Sequence, residues 1–174
     1  MRFCKNIFLV FLVCLILGCA TSANYTGMMV TPSSVIQENP KLKGKVSIGV
    51  IGGGKETNPL WTSQVDNYGF RKALEGSLAS YGYLATSAEN AVYRIDANLL
   101  DLSQPLLGLD LNVKSSIYYK VTYLGVTKQY SLLANGVATF SDAVLAYERL
   151  RIANEKAIQE NIKQFMKELS ILDR

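Results

Sequence analysis

The amino-acid sequence predicts an α+β fold, a two-layer sandwich with two helices on one face of a mostly antiparallel four-stranded sheet. Long segments alternate apolar and polar residues with a period of two, which is typical of strands with one buried and one solvated face. Two other segments repeat apolar residues at helical spacing. Strands that are solvated on one face favour antiparallel neighbours, and a right-handed crossover places both helices on the same side. The predicted order is β-α-β-β-β-α.

The first strand and the first helix follow from short local signals. From Val46 to Val50, apolar residues alternate with small ones, and a run of glycines ends the strand. Ser63 and Asp66 stand three residues apart, which resembles the capping box at the start of a helix. Apolar residues at helical spacing then predict a helix over 64–81. Gly82 stands where a left-handed residue would end it.

The alternating pattern returns three times and is followed by a second helix. It predicts strands over 93–102, 109–123 and 129–140. The closing helix is expected over 141–169. The side chains expected in the core are Tyr119, Tyr123, Tyr130 and Leu132 from the strands, and Leu150, Ala157, Ile158, Ile162, Phe165 and Leu169 from the helix.

The N-terminus carries a basic residue pair and an apolar run over 7–17, followed by Gly18 and Cys19. This order resembles the signal of bacterial lipoproteins. In that family the cysteine after the small residue is acylated and becomes the new N-terminus, so the resemblance implies cleavage between Gly18 and Cys19 and lipidation of Cys19. The alternative, an uncleaved spanning helix, needs about 20 apolar residues, and this run is shorter.

Processing at Cys19 defines three segments. Residues 1–18 would be a signal peptide that is removed, 19–44 a lipid-anchored tether, and 45–174 a single α+β domain. The tether is rich in polar residues and glycine and lacks a period, so it is expected to be mobile or to lie extended on the domain. Removing 18 of 174 residues leaves 156, enough for one domain with its own core.

The cysteines and the residue after Cys19 indicate a compartment. Cys4 and Cys14 leave with the signal and Cys19 would carry lipid, so no disulfide is expected. In Gram-negative lipoproteins an aspartate after the acylated cysteine tends to retain the protein in the inner membrane. Here that residue is Ala20, so the resemblance implies the outer membrane, with the domain on the periplasmic face and surface display left open.

Charge and composition exclude several classes of function. The chain has 18 basic and 14 acidic residues, and its net charge of +4 falls to +2 when Arg2 and Lys5 are removed. No basic cluster is interleaved with aromatics, so we expect no nucleic-acid partner. The chain has no histidine, which excludes histidine general bases and most zinc sites. We expect no cofactor, no metal and no catalytic residue.

Two patterns that imitate catalytic sites have simpler explanations. Residues 49–55 match the spacing of a phosphate-binding loop as far as the lysine, but Glu56 replaces the required Ser or Thr, so we interpret the segment as a glycine-rich strand end. The carboxylate pairs available for acid–base work are Asp96 with Asp101 and Glu148 with Glu155. We expect all four to be solvated or in ion pairs with nearby arginines.

Three residues are candidates for partner binding. Asn161 lies on the apolar stripe of the last helix, where an amide is costly unless it is hydrogen-bonded. Asn154 and Asn161 either line a groove for a partner or tie the helix to a neighbouring loop or strand. Tyr118 should point to the open face of the sheet. The residues expected to form a partly apolar patch with it are Leu100, Leu102 and Leu124.

The signal, the tether and the order of elements together resemble small Gram-negative outer-membrane lipoproteins of the YajG family. The chain is more loosely similar to lipoproteins of the LptE and LpoB types. The resemblance covers about residues 15–170 and rests on the signal at 15–19, the strand over 93–102, the hairpin over 109–140 and the closing helix. Among these only the signal is a specific motif, so no binding residue beyond Cys19 is implied.

These features predict a non-enzymatic, lipid-anchored binding or accessory module of the cell envelope. Its partner would be an envelope protein complex or a lipid or glycan, and self-association through edge strands is physically easy. One alternative is an accessory subunit of lipid or lipopolysaccharide transport. Another is an envelope hydrolase or acyltransferase, which a deep cleft that groups Asp96, Asp101 or Ser103 would favour.

Overall fold

The computed structural model describes residues 20–33, 35–59, 62–105 and 107–172, which contain one four-stranded sheet. Its strands are β1 (Val46–Gly52), β2 (Tyr93–Ser103), β3 (Leu111–Tyr123) and β4 (Val126–Ala138), in that order across the sheet. β1 and β2 are parallel, whereas β2, β3 and β4 are antiparallel to their neighbours. The predicted α+β class and mostly antiparallel sheet are therefore confirmed.

Two long helices cover one face of this sheet. Within the described residues a short helix α1 (Tyr25–Met28) comes first, and the long helices are α2 (Asn67–Ser80) and α3 (Ala146–Ser170). α2 packs on β1, and α3 packs on β3 and β4. The last strand and the last helix pack closely, as expected from elements that are adjacent in the chain.

Both long helices begin later than the sequence suggested. The cap of α2 is Asp66, whose side chain accepts from the Gly69 amide at 2.6 Å, and not Ser63. Gly82, with φ of +67°, follows the helix end as predicted. α3 begins at Ala146 because Asp142 forms a local turn instead, accepting from the Thr139 amide at 2.8 Å.

A bulge in β2 changes which face its last residues occupy. The pairing shifts between Leu99 and Asp101, so that Leu102 pairs with buried Ser115 and packs against the core. One inserted residue reverses the alternation of side chains, so the prediction that Leu102 lies on the open face is wrong. Leu124 is also placed differently, because it lies in the β3–β4 hairpin turn.

The core lies between the sheet and the helices. Tyr119 of β3 is fully buried and stacks on Phe165 of α3 with ring centroids 3.9 Å apart. Tyr130 meets the same Phe165 edge-on, and Tyr123 is buried beside Tyr93. The prediction that these three tyrosines of β3 and β4 join the core is confirmed. Burial raises the pKa of the Tyr119 hydroxyl well above its usual value.

The described part of the predicted tether over 19–44 lies on the domain, which is one of the two alternatives given for it, and it packs there more deeply than a tether would. Met28 and Leu42 are fully buried in the same core as the helices and strands. The buried side chain of Asn39 donates to the carbonyl groups of Leu169 and Leu172 at 3.1 and 2.7 Å. The amide of Asn24 donates to Glu155 at 2.7 Å. This segment is therefore an integral layer of the domain and not a spacer.

Candidate functional site

The predicted processing site adjoins a segment that is firmly attached to the domain. Gly18 and Cys19 themselves lie outside the described residues. Ala20 is buried and its amide donates to the Pro59 carbonyl at 2.8 Å, while the Ala23 amide donates to the Gln64 carbonyl at 3.0 Å. A lipid attached to Cys19 would therefore lie one residue from Ala20, which is hydrogen-bonded to the domain.

Asn154 lies in α3 and is fully buried. Its amide nitrogen donates to the Ser63 carbonyl at 3.0 Å, and its oxygen accepts from Gln104 at 2.8 Å. Gln104 also donates to the Ser63 carbonyl at 2.8 Å. These bonds tie the helix to the loop before α2 and to the end of β2, which matches the alternative in which the amide is an internal tie.

Asn161 is likewise fully buried and satisfied within the domain. Its oxygen accepts from the Tyr119 hydroxyl at 3.1 Å, and its amide nitrogen donates to the Leu132 carbonyl at 3.0 Å and to the Ser115 hydroxyl at 3.3 Å. The Ser115 hydroxyl in turn donates to the Ala157 carbonyl at 3.0 Å. Asn161 therefore joins α3 to β3 and β4, and the structure gives it no place in a surface groove.

Tyr118 lies on the face of the sheet opposite the helices, as predicted, and is half-buried. It pairs with Asn98 of β2 and with Ser131 of β4. Leu133 of β4 is 74% exposed and lies diagonal to Tyr118, since it pairs with Ser116. Leu100 of β2 is also exposed at this level of the sheet. We call the surface formed by Leu100, Tyr118 and Leu133 the open-face patch.

Leu133 is not among the residues that the sequence predicts for this patch. The sequence of β4 already indicates that Leu133 is exposed, because Leu133 and Val137 lie on the same face of the strand as polar Ser131 and Asn135. Both apolar side chains are exposed for that reason. Single exposed apolar residues are normal on protein surfaces, whereas apolar residues grouped on one face mark a candidate interaction surface.

A shallow depression of about 340 Å³ adjoins the patch. Its lining residues include Val50, Gly52, Asp96, Asn98, Tyr118 and Lys120. Burial raises the pKa of the Asp96 carboxyl, but the Val50 amide donates to it at 2.7 Å. With the cations of Arg94 at 3.2 Å and Lys120 at 3.7 Å, the net result is an Asp96 pKa below its usual value. The carboxylate is therefore ionised and paired at neutral pH.

None of the other three candidate carboxylates lines the depression at Asp96. Asp101 lines a separate cavity of about 20 Å³, and not the depression at Asp96. Glu155 pairs with Arg151 at 2.6 Å, as expected for neighbours on a helix. Residues 49–52 belong to β1, which agrees with a glycine-rich strand end rather than a phosphate loop.

Two classes of feature are absent from the described part of the chain. No group of three or more potential metal ligands among Cys, Asp and Glu occurs there. Within the same residues, no helix combines the length and the apolar character required to cross a bilayer.

Comparisons with known proteins identify the fold and no more. No protein-family model matches the chain, and no curated protein matches it. A candidate lipoprotein from Caulobacter crescentus CB15 has a solved structure that is 12% identical, with a TM-score of 0.50, over 72% of this chain and 87% of that one. At this identity the likeness shows a shared fold alone.

Two further solved structures are similar at lower scores. The hypothetical protein CT253 from Chlamydia trachomatis is 12% identical, with a TM-score of 0.47, over 73% of this chain and 93% of that one. Protein XCC0632 from Xanthomonas campestris, of family DUF330, is 11% identical, with a TM-score of 0.39, over 78% and 88%. The resemblance to the YajG family stays a prediction.

Proposed function

We propose that this chain is a lipid-anchored, non-enzymatic binding module of the bacterial envelope, held by Cys19 in the outer membrane. Its domain would face the periplasm and bind another envelope component through the open face of its sheet. The signal-like sequence at 15–19 supports the anchor. The likeness to the Caulobacter protein supports it only as a shared fold with a candidate lipoprotein.

The observation that carries the binding role is the open-face patch. The helices cover only one face of the sheet, and the other face exposes Leu133 and Leu100 around a half-buried tyrosine. Aromatic side chains with an apolar body and a polar tip are enriched at interfaces. The adjoining carboxylate at Asp96 and the ammonium group of Lys120 offer polar contacts at the rim.

Site-specific photo-crosslinking in living cells tests this role. A photoreactive residue is placed at Tyr118 or at Leu133 of the full chain, and at Tyr68 as a matched control. Tyr68 is an exposed tyrosine of α2, in the helical layer on the other side of the sheet. We expect the same specific adduct from positions 118 and 133, absent from position 68 and lost in Cys19→Ala.

The mass of the adduct distinguishes a protein partner from a lipid or glycan. Adducts from position 68 alone would contradict binding through the open face. If no position gives an adduct and the purified full chain cleaves or acylates envelope lipid or glycan, the chain is an enzyme and the proposal fails.

A further inference from the structure

The start of the described chain and several loops lie at one end of the domain. β1 and β2 are parallel, so both end there, while antiparallel β3 begins there and β4 ends there. α2 and α3 also begin at this end, because each follows a strand that ends there. Ala20 is bound at the same end, through the Pro59 carbonyl of the loop between β1 and α2. We call this the anchor end.

Two loops at the anchor end expose large apolar side chains to solvent. Leu107 and Leu109, in the loop before β3, are 92% and 75% exposed. The loop before α3 exposes Phe140, Val144 and Leu145. Apolar side chains grouped on adjoining loops are unusual on a surface that meets only water.

The two loops adjoin each other. Leu111 pairs with Ala138, so the residues just before β3 and just after β4 are neighbours across the sheet edge. Leu107 and Tyr147 also line one cavity of about 370 Å³, between the first loop and the start of α3. The exposed apolar side chains of these adjoining loops are Leu107, Leu109, Phe140, Val144 and Leu145, and we call them the apolar rim. Ser141 and the ion-paired Asp142 of the second loop are not part of it.

The second loop is held by a buried arginine. The guanidinium of Arg149, which is 5% exposed, donates to the carbonyl groups of Ala143 and Val144 at 3.0 and 2.6 Å. It also lies over the ring of Phe140 at 5.4 Å. These internal bonds satisfy loop carbonyl groups that could not find water in an apolar medium.

From these observations we propose that the five apolar side chains of this rim seat in the lipid leaflet that holds the acyl chains of Cys19. The inference rests on the proposed lipid anchor. Because Ala20 is fixed to the domain, the acyl chains would enter the membrane beside the rim and without a spacer. The sheet would then stand on the membrane, which leaves the open-face patch accessible from the side.

The partner is the lipid surface itself and not a particular headgroup. Basic and acidic residues are mixed near the rim, since Asp142 of the second loop pairs with Lys156 of α3 at 2.8 Å. Attraction to anionic lipid would require an excess of basic residues. Burial of leucine, valine and phenylalanine in the acyl region is the favourable contribution.

The test measures the depth of single spin labels on the full, processed chain in vesicles of phosphatidylethanolamine and phosphatidylglycerol. Labels are attached to Leu107→Cys, Val144→Cys and Leu124→Cys. Leu124 is a matched control, since it is a leucine 85% exposed in the hairpin turn at the opposite end. With Cys4 and Cys14 removed and Cys19 acylated, each variant has one free thiol.

We expect labels at 107 and 144 to collide with oxygen several-fold more than with a water-soluble nickel chelate, relative to the label at 124. Labels at 107 and 144 that respond like the one at 124 would overturn the inference. Labels shielded from both reagents and broadened by each other would show a second copy on the rim, and would also overturn it. The intact mass of each sample reports acylation, so a failed anchor is distinguished from an anchored domain with a water-exposed rim.

Discussion

At the residue scale, two buried amides of α3 explain how a helix that is polar on much of its surface packs on the sheet. Asn154 and Asn161 each place an amide where an apolar side chain would be expected, and each finds partners from two other elements. A buried amide is costly only when it is left unpaired. Their polar character therefore fixes the position of the helix without requiring a ligand.

Asn161→Ala should lower the free energy of unfolding by about 2–4 kcal/mol, because it leaves the Tyr119 hydroxyl without its acceptor and opens space in the core. Urea denaturation of the two proteins measures the difference. Lys163→Ala, which removes a surface ion pair two residues further along, should cost less than about 1 kcal/mol. Equal stability of Asn161→Ala and the original chain would return Asn161 to the candidates for binding.

Asp142 should make stability depend on pH in the acid range. Lys156 and the Thr139 amide lower the pKa of its carboxyl from 3.8 to about 2. Because the pKa of Asp142 is lower in the folded chain, the ionised carboxylate stabilises the fold at pH values above its ordinary pKa. This stabilisation is lost as the pH falls from about 4 to about 2. Asp142→Asn should flatten this part of the stability curve, measured by urea unfolding at several pH values.

Lys156→Met tests the same effect from the partner of Asp142, since Lys156 is the largest cause of the lowered pKa of Asp142. It should flatten the curve in the same range of pH. A Lys156→Met protein that keeps the full slope would show that Lys156 is not the cause of the lowered pKa of Asp142.

At the element scale, β4 and α3 approach closely through a glycine. A Cβ added at Gly136 would meet the backbone of Ala153 and Ala157 in the helix. Backbone atoms cannot rotate away as a side chain can, so the helix would have to move. The small residue therefore sets the distance between the two layers.

Gly136→Ala should destabilise the protein by about 1–3 kcal/mol through overpacking. Thermal or urea unfolding measures the change. Asn135→Ala, at the next residue and with its side chain exposed, should change stability by no more than about 0.5 kcal/mol. If both variants behave alike, the close contact of strand and helix does not exist in solution.

The segment before β1 is a structural element in its own right. Met28→Ala should cost about 2–5 kcal/mol, because a fully buried side chain leaves a cavity. Val35→Ala, in the same segment but 65% exposed, should change the free energy of unfolding by about 0.5 kcal/mol or less. A mobile tether would give no effect in either variant, and that result would contradict the packing described above.

At the scale of the whole molecule, the order of elements and the core tyrosines could be predicted because strands and helices leave regular periods in the sequence. The packing of residues 20–44 could not be predicted, because their buried side chains, such as Met28 and Leu42, are isolated along the chain and follow no regular period. The position of Leu102 depended on a bulge, which no local residue signals. The open-face patch was predicted in part, at Tyr118 and Leu100, and its member on β4 was overlooked.

The proposed membrane attachment depends on a lipid at Cys19, and the intact mass of the protein extracted from native membranes tests this lipid most directly. We predict a chain that begins at Cys19 and carries a diacylglyceryl group and a further acyl chain, and a Cys19→Ala protein that keeps residues 1–18. An unmodified mass, or a chain that begins at another residue, would contradict the anchor and with it the placement of the domain on a membrane.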